Sequence, residues 1–232
     1  DNKKMYKRVG CYKLMIENFE LATKFAQNLF EIEDERILAI ENEAILNKVP
    51  IITRDVLKYM LFVARSEKSS NILEIGTATG YSGIFLAQAA AENKGNFMSI
   101  EIDENRYSEA VNNFKKMDLL NGKNNLILGD ALEEIPKLYD LNKKYDFIFM
   151  DAAKGQYRNF FKLLFPILSE NGIMFIDNLL FRGMVTLESE DIPKRYKTIV
   201  TRLKVFIEEL NENKNFVLLP FGDGIGIIKN KI

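Results

Sequence analysis

From Asn71 onward the chain alternates short apolar runs with longer amphipathic segments. The runs are "NILEI" (71–75), "FMSI" (97–100), "NLIL" (125–128), "DFIFM" (146–150) and "GIMFI" (172–176). Such runs suit strands buried on both faces. The segments between them, beginning near Gly80, Glu104, Asp130 and Lys154, are long enough for helices. Strands alternating with helices predict βαβ units, and so an α/β fold around a mostly parallel sheet with right-handed crossovers. A last helix is predicted over Ile192–Leu210. "NFVLLP" and "GIGIIKN" follow it, separated by the turn signal "FGDG", so the final strand is expected to be antiparallel. Upstream the pattern is helical. Leu14, Leu21, Phe25 and Leu29 fall close to helical spacing within Lys13–Phe30, and Asp34–Asn47 carries Ile37, Leu38, Ala44 and Ile45. Pro50 breaks the pattern, and Thr53 is placed to N-cap a helix running to about Ser66, with Asp55 in its first turn. With no repeat, low-complexity tract or Pro/Gly-rich linker, the chain reads as one domain over 1–232: a helical extension, 1–48, and a core, 49–232.

Composition changes this picture chiefly by what it removes. The 232 residues are 47% hydrophobic, enough for a sizeable core. Lys and Arg total 32 against 33 Asp and Glu, so the net charge of −1 lends nucleic-acid binding no support and leaves only a local basic patch open. The lone Cys11 excludes an internal disulfide framework and fits a reducing, cytoplasmic compartment. No apolar run approaches the roughly 18 residues of a membrane span, so no membrane partner is expected. The histidine count is zero. That removes the Ser-His-Asp triad, His-ligated zinc and the commonest general base. Acid–base chemistry falls to Asp, Glu, Lys, Tyr or Cys11, and a metal site to oxygen ligands, which favour Mg²⁺, Ca²⁺ or Mn²⁺.

Candidate chemistry gathers at the carboxyl ends of the strands, where open α/β sheets bind ligands. The first strand ends "LEIGTATGYS", with Glu74, Gly76, Gly80 and Ser82; the second "SIEID", with Glu101; the third "LGDAL", with Asp130; the fourth Asp151; the fifth "FIDNLLFRG", with Asp177 and Asn178. Any one acid could be a strand end reaching solvent, but five on one rim point to a site. Gly76 and Gly80 have neither the spacing of a dinucleotide G-x-G-x-x-G turn nor the Lys-Ser/Thr of a P-loop, so their turn serves either a ligand's approach or tight helix packing. The same spacing argues against a nicotinamide dehydrogenase. Glu101 suits two ribose hydroxyls or is an exposed acid. Asp130 stands near an adenine edge or caps the following helix. Asp151, Asp177 and Asn178 offer three oxygen ligands for a hard cation. Lys154 then sits over the substrate as a base, or forms a salt bridge to Asp151.

In order, "LEIGTATGYS", "SIEID", "GDAL", "MDAAKGQY" and "DNLLFRG" resemble the cation-dependent, catechol-type O-methyltransferases that use S-adenosylmethionine, and "PFGDGIGIIKN" resembles that family's terminal hairpin. Within the family, "DAAKGQY" and "DNLLFRG" look most like the bacterial tRNA 5-hydroxyuridine methyltransferases. The resemblance implies a Rossmann-like sheet of seven strands with helices on both faces, and a homodimer. It implies Mg²⁺ on Asp151, Asp177 and Asn178, with Lys154 as base. Ser82 would hold the methionine carboxylate, Glu101 the ribose and Ala131 the adenine. Ile52 and Thr53 would edge the cofactor, with Glu74, Gly76, Tyr81, Asp130 and Asp151 completing its surroundings. The implied acceptor is 5-hydroxyuridine in a tRNA anticodon loop. Arg54 and Arg182 at the rim are candidate RNA contacts, with Lys3, Lys4, Lys7, Arg8, Lys13, Lys194, Arg195 and Lys197 further out. The alternatives are a small catechol-like acceptor, or a nucleotide- or RNA-binding protein without catalysis.

Overall fold

The computed structural model of the protein describes residues 20–231. Cys11, the basic residues Lys3 to Lys13 and the start of the helix predicted over Lys13–Phe30 lie outside them. Residues 20–28 are helical (α1), followed by α2 (Glu35–Leu46) and α3 (Arg54–Ser66). The alternating part then gives β1 (Asn71–Ile75), α4 (Tyr81–Glu92), β2 (Asn96–Glu101), α5 (Glu104–Lys116), β3 (Asn124–Leu128), α6 (Ala131–Tyr139), β4 (Tyr145–Met150), α7 (Tyr157–Leu164), β5 (Leu168–Ile176), α8 (Lys197–Asn211), β6 (Phe216–Leu219) and β7 (Ile225–Lys229). The seven strands form one sheet in the order β3-β2-β1-β4-β5-β7-β6. β7 alone runs in the reverse direction, antiparallel to both β5 and β6, as the hairpin signal predicts.

The strands' period of two sorts their side chains between two cores. Ile72, Phe97, Phe147, Phe149, Ile173, Phe175 and Ile225 pack on one face with α2, α3, α4 and Phe114 of α5. Leu73, Met98, Ile148, Met150, Met174, Ile176 and Ile228 pack on the other with α6, α7 and α8. Burial on both faces explains why the runs lack polar alternation. The exception in β4, Asp146, lies at the edge away from the strand ends; it accepts from the N–H groups of Ser70 and Asn71 at 3.0 Å each and from the Ser70 hydroxyl at 2.7 Å.

Two helix starts differ from expectation. Lys154–Gln156 forms a 3-10 turn, and the helix proper begins at Tyr157. The helix predicted from Ile192 begins at Lys197, because Pro193 takes extended ψ (135°) and its ring disfavours helical geometry at the residue before it. Thr53 has the extended backbone of an N-cap, but its side chain makes no capping hydrogen bond.

The helices before β1 are tied to the core by a buried ion pair. Glu41 of α2, 5% exposed, accepts from Arg54 Nε at 2.8 Å, from Arg54 Nη2 and from the Tyr81 hydroxyl at 2.7 Å. The Arg54 hydrogen bonds hold the Glu41 carboxyl below its ordinary range. Arg54→Ala leaves that carboxylate with one donor, so a loss of about 2 kcal/mol is expected in chemical denaturation at pH 7, the scale of a charged hydrogen bond. A depressed carboxyl contributes stability above its unfolded pKa and loses it as pH falls. The gap between wild type and variant should therefore shrink as pH drops below 4.5.

Candidate active site

The parallel ladder does not stop where the strands end. Gly76 N–H donates to Ile100 O, Asp151 N–H to Ile75 O at 3.0 Å, Asp177 N–H to Met150 O at 3.1 Å, and Gly129 N–H to Glu101 O at 2.8 Å. Ile75 is in register with Ile100 and Met150, and Met150 with Ile176. One residue further along each strand, Gly76, Glu101, Asp151 and Asp177 therefore stand side by side. They line a cavity of about 550 Å³. Gly76 holds φ +95°, and a Cβ there would lie 2.0 Å from the Asp151 carbonyl oxygen, so the first turn needs glycine both for its backbone and for the approach of the β4 end.

Of the residues singled out from the sequence, Ile52, Gly76, Tyr81, Ser82, Glu101, Asp130, Ala131, Asp151, Lys154, Asp177 and Asn178 all border this cavity. Glu101 Oε2 accepts from the Ala78 N–H at 2.8 Å and Oε1 from the Asp103 N–H at 2.9 Å, which fixes the carboxylate at the rim. Asp130 lines the cavity and also caps α6 through the Leu132 N–H at 2.8 Å. Four others lie off the cavity wall. Glu74 is fully buried below the cavity and does not line it. Thr53 and Arg54 border an adjoining recess with Glu41, which shares Pro50, Ile51 and Ile52 with the cavity, and Arg54 is held there by its ion pair. Arg182 is exposed and outside the cavity wall.

Asp177 is 5% exposed; its Oδ1 accepts from the Asn178 N–H at 2.7 Å. Burial, with the neighbouring Asp151 carboxylate, pushes its carboxyl up to about 7. Two acids so close repel, and the cation present among the described residues is Lys154, whose Nζ lies 3.0 Å from Asp151 Oδ1. Lys154 is also the only basic side chain among the described residues of the cavity wall. No group of three or more His, Cys, Asp or Glu side chains among the described residues is arranged to hold a metal. The oxygen set here is two carboxylates and the Asn178 amide.

Three supporting residues carried no signal in the pattern. Tyr157, 1% exposed, donates its hydroxyl to the Asp177 carbonyl at 3.0 Å. Asp223, in the "FGDG" turn, accepts the Arg182 N–H, while its carbonyl accepts the Leu180 N–H at 3.0 Å. This contact steadies a loop in which Phe181, Arg182 and Gly183 have φ of 46°, 58° and 72°. Arg202 of α8 donates to the Gly155 carbonyl at 3.2 Å, bracing the turn that carries Lys154. Each contact joins segments far apart in the chain, so only an expected sequence motif could have marked them, as Tyr157 stands in "DAAKGQY" and Asp223 in "PFGDG".

Residues 26–231 match the model of a family described as O-methyltransferase. A caffeoyl-CoA O-methyltransferase 2 of Populus trichocarpa is 30% identical over 170 residues, covering 69% of this chain and 67% of the relative. A catechol O-methyltransferase of Niastella koreensis is 28% identical over 178 residues, covering 75% of this chain and 80% of the relative. Among solved structures, a Staphylococcus aureus protein provisionally described as a caffeoyl-CoA O-methyltransferase superposes with a TM-score of 0.80 at 29% identity, covering 90% of this chain and 99% of that one. The S-adenosylhomocysteine-bound methyltransferase PaMTH1 of Podospora anserina shares the fold, with a TM-score of 0.79 at 24% identity, covering 93% and 96%. The cavity at the carboxyl edge of a 3-2-1-4-5-7-6 sheet thus sits in a chain that belongs to the O-methyltransferase family and is a methyltransferase.

Proposed function

We propose that the protein transfers the methyl group of S-adenosylmethionine to a hydroxyl beside a second oxygen, with a divalent cation, Mg²⁺ by preference over Mn²⁺ or Ca²⁺, and that its acceptor is 5-hydroxyuridine at the wobble position of tRNA, giving 5-methoxyuridine. The observation that carries the reading is the meeting of Asp151, Asp177, Asn178 and Lys154 at one end of a cavity whose other wall carries Glu101, Asp130 and Ala131. S-adenosylmethionine supplies an electrophilic methyl, and a divalent cation would lower the acceptor hydroxyl's pKa and orient its two oxygens.

The chain's own residues fit both groups. Glu101 presents a carboxylate held by two backbone N–H groups, suited to vicinal ribose hydroxyls. Ile52, Ala131 and Leu132 offer an apolar bed for a purine. Asp151, Asp177 and Asn178 would hold the cation: they are hard oxygen donors, and the mutual repulsion that raises Asp177 is relieved by a positive charge. Lys154, as the free amine rather than the ammonium paired with Asp151, takes the acceptor's hydroxyl proton on Nζ, with its turn braced by Arg202. Arg182, exposed four residues after Asn178, is suited to an RNA phosphate. A homodimer in the cytoplasm is part of the same reading. A small catechol has the same two-oxygen geometry, and the names of the relatives favour it as the second reading.

Excess EDTA should abolish methyl transfer and added Mg²⁺ restore it, while Asp177→Ala should lose the metal-dependent rate. Because Asp177 is raised to about 7, cation binding must displace a proton at acid pH, so affinity measured by calorimetry should weaken as pH falls below about 7. Full turnover in EDTA would remove the cation from the reading.

Lys154→Met should slow methyl transfer by roughly 10²–10⁴-fold, the usual scale for a general base, with recovery as pH rises and the acceptor ionises unaided. A lysine that serves only as a salt bridge to Asp151 would instead lower thermal stability and leave the pH–rate profile unchanged.

The acceptor is tested by nucleoside mass analysis of tRNA after incubation with labelled cofactor. Arg182→Ala is expected to raise KM for tRNA more than for the free nucleoside, and salt to weaken tRNA binding. Rapid methylation of a catechol with none of 5-hydroxyuridine tRNA would overturn the RNA acceptor and leave the O-methyltransferase in place.

A further inference from the structure

Glu74 lies in the middle of β1 with its side chain wholly buried, and neither the cation site nor the base uses it. Its surroundings are a chain of hydroxyls. Ser82 donates to Glu74 Oε1 at 2.5 Å, Ser99 donates to Oε2 at 2.7 Å, and Ser99 and Thr77 share a hydrogen bond of 2.5 Å. Ser82 and Thr77 border the cavity; Ser99 and Glu74 do not. There is no slack around the carboxyl: a Cβ on Gly83 would come within 2.8 Å of Oε2, and Phe97 and Phe114 close the same wall.

The hydrogen atoms in this chain can be counted. Three hydroxyls bring three protons, and there are three hydrogen bonds. With Glu74 ionised, Ser82 and Ser99 both point inward and Thr77 points at Ser99. Every hydroxyl proton is then committed, and the cavity meets only oxygen lone pairs at Ser82. With one proton added to Glu74, Oε1–H donates to Ser82 while Oε2 still accepts from Ser99. The Ser82 hydroxyl is released and can donate into the cavity. A carboxylate ligand needs donors, so it selects the second arrangement.

We propose that Glu74 holds the proton that turns Ser82 into a donor, so that the carboxylate of the cofactor's amino-acid end binds only to the form of the site in which Glu74 is protonated. The proposal rests on the reading of the cavity as an S-adenosylmethionine site with that carboxylate at Ser82. The neighbourhood favours the neutral acid. Burial, against the two serine hydroxyls, raises Glu74 to about 8, and the charged groups that bear on it from the ends of β4 and β2, Asp151 and Glu101, are both acids. No lysine or arginine among the described residues is paired with it.

The test is calorimetric titration of the purified protein with S-adenosylhomocysteine from pH 7 to 9, in pairs of buffers of different ionisation heat so that protons are counted. The product's own amine titrates in this range, so wild type is compared with Glu74→Gln, whose amide is a donor at every pH. Above pH 8 the wild-type affinity should fall by about tenfold per pH unit relative to the variant, with a matching proton uptake that the variant lacks. Parallel curves and equal proton counts would overturn the proposal. Ser82→Ala separates the two levels, and stands in should Glu74→Gln fail to fold. Affinity unchanged in Ser82→Ala means that no carboxylate sits there, and the reading of the cavity fails with the proposal. Affinity lowered about tenfold at pH 7, with proton uptake still equal to wild type, means the carboxylate is there and the Glu74 proton is not involved. Lowered affinity with the extra uptake gone is the expected result.

Discussion

The hydrogen-bond ladder between parallel strands sets where every functional group in this protein stands. Strands β1, β2, β4 and β5 end in register, and the ladder continues for one residue beyond them, through the N–H groups of Gly76, Asp151 and Asp177. A slip of one residue in any pair would turn a carboxylate from the rim into an apolar layer, because successive side chains point to opposite faces. The alternating large side chains of the two cores, such as Phe147 and Phe149 against Ile148 and Met150, make such a slip costly. The precision of the rim is thus inherited from the packing of the sheet.

That precision places like charges together. Asp151 and Asp177 stand on neighbouring strand ends in a partly buried setting, and the chain answers with the Lys154 ion pair on one and a raised protonation range on the other. Glu74 shows the same physics one layer deeper, where no cation reaches and hydroxyls do the compensating. The cavity therefore has two electrostatic ends: an acidic one that attracts positive charge, and a hydroxyl-lined one whose donors and acceptors depend on a buried proton.

The surrounding elements hold this edge still. The terminal hairpin reaches back so that Asp223 fixes the loop after Asn178, with Leu179 N–H on the Gly224 carbonyl at 2.9 Å. Helix α8 braces the Lys154 turn through Arg202 and the same long loop through Lys204, whose Nζ lies 2.6 Å from the Leu187 carbonyl. Residues remote from the cavity thereby control how firmly its acids are held.

The sequence by itself determined the alternation of strands and helices, the antiparallel last strand and the acidic strand ends, because burial on both faces writes a continuous apolar run and each polar residue that ends it stands out. It also marked Asp151, Asp177 and Asn178 as oxygen donors, because they end two of the apolar runs. Only the tertiary structure decided which acids face the cavity. Glu74 reads as a rim acid like Glu101, yet it lies within β1 rather than past its end, so the pleat sends it into a core. Arg54 reads as a rim cation, yet the buried Glu41 of α2 claims it, a pairing across 13 residues that no local pattern contains. Tyr157, Asp223 and Arg202 act through hydrogen bonds to backbone carbonyls and N–H groups, which every residue possesses, so their partners became visible only when the chain was folded.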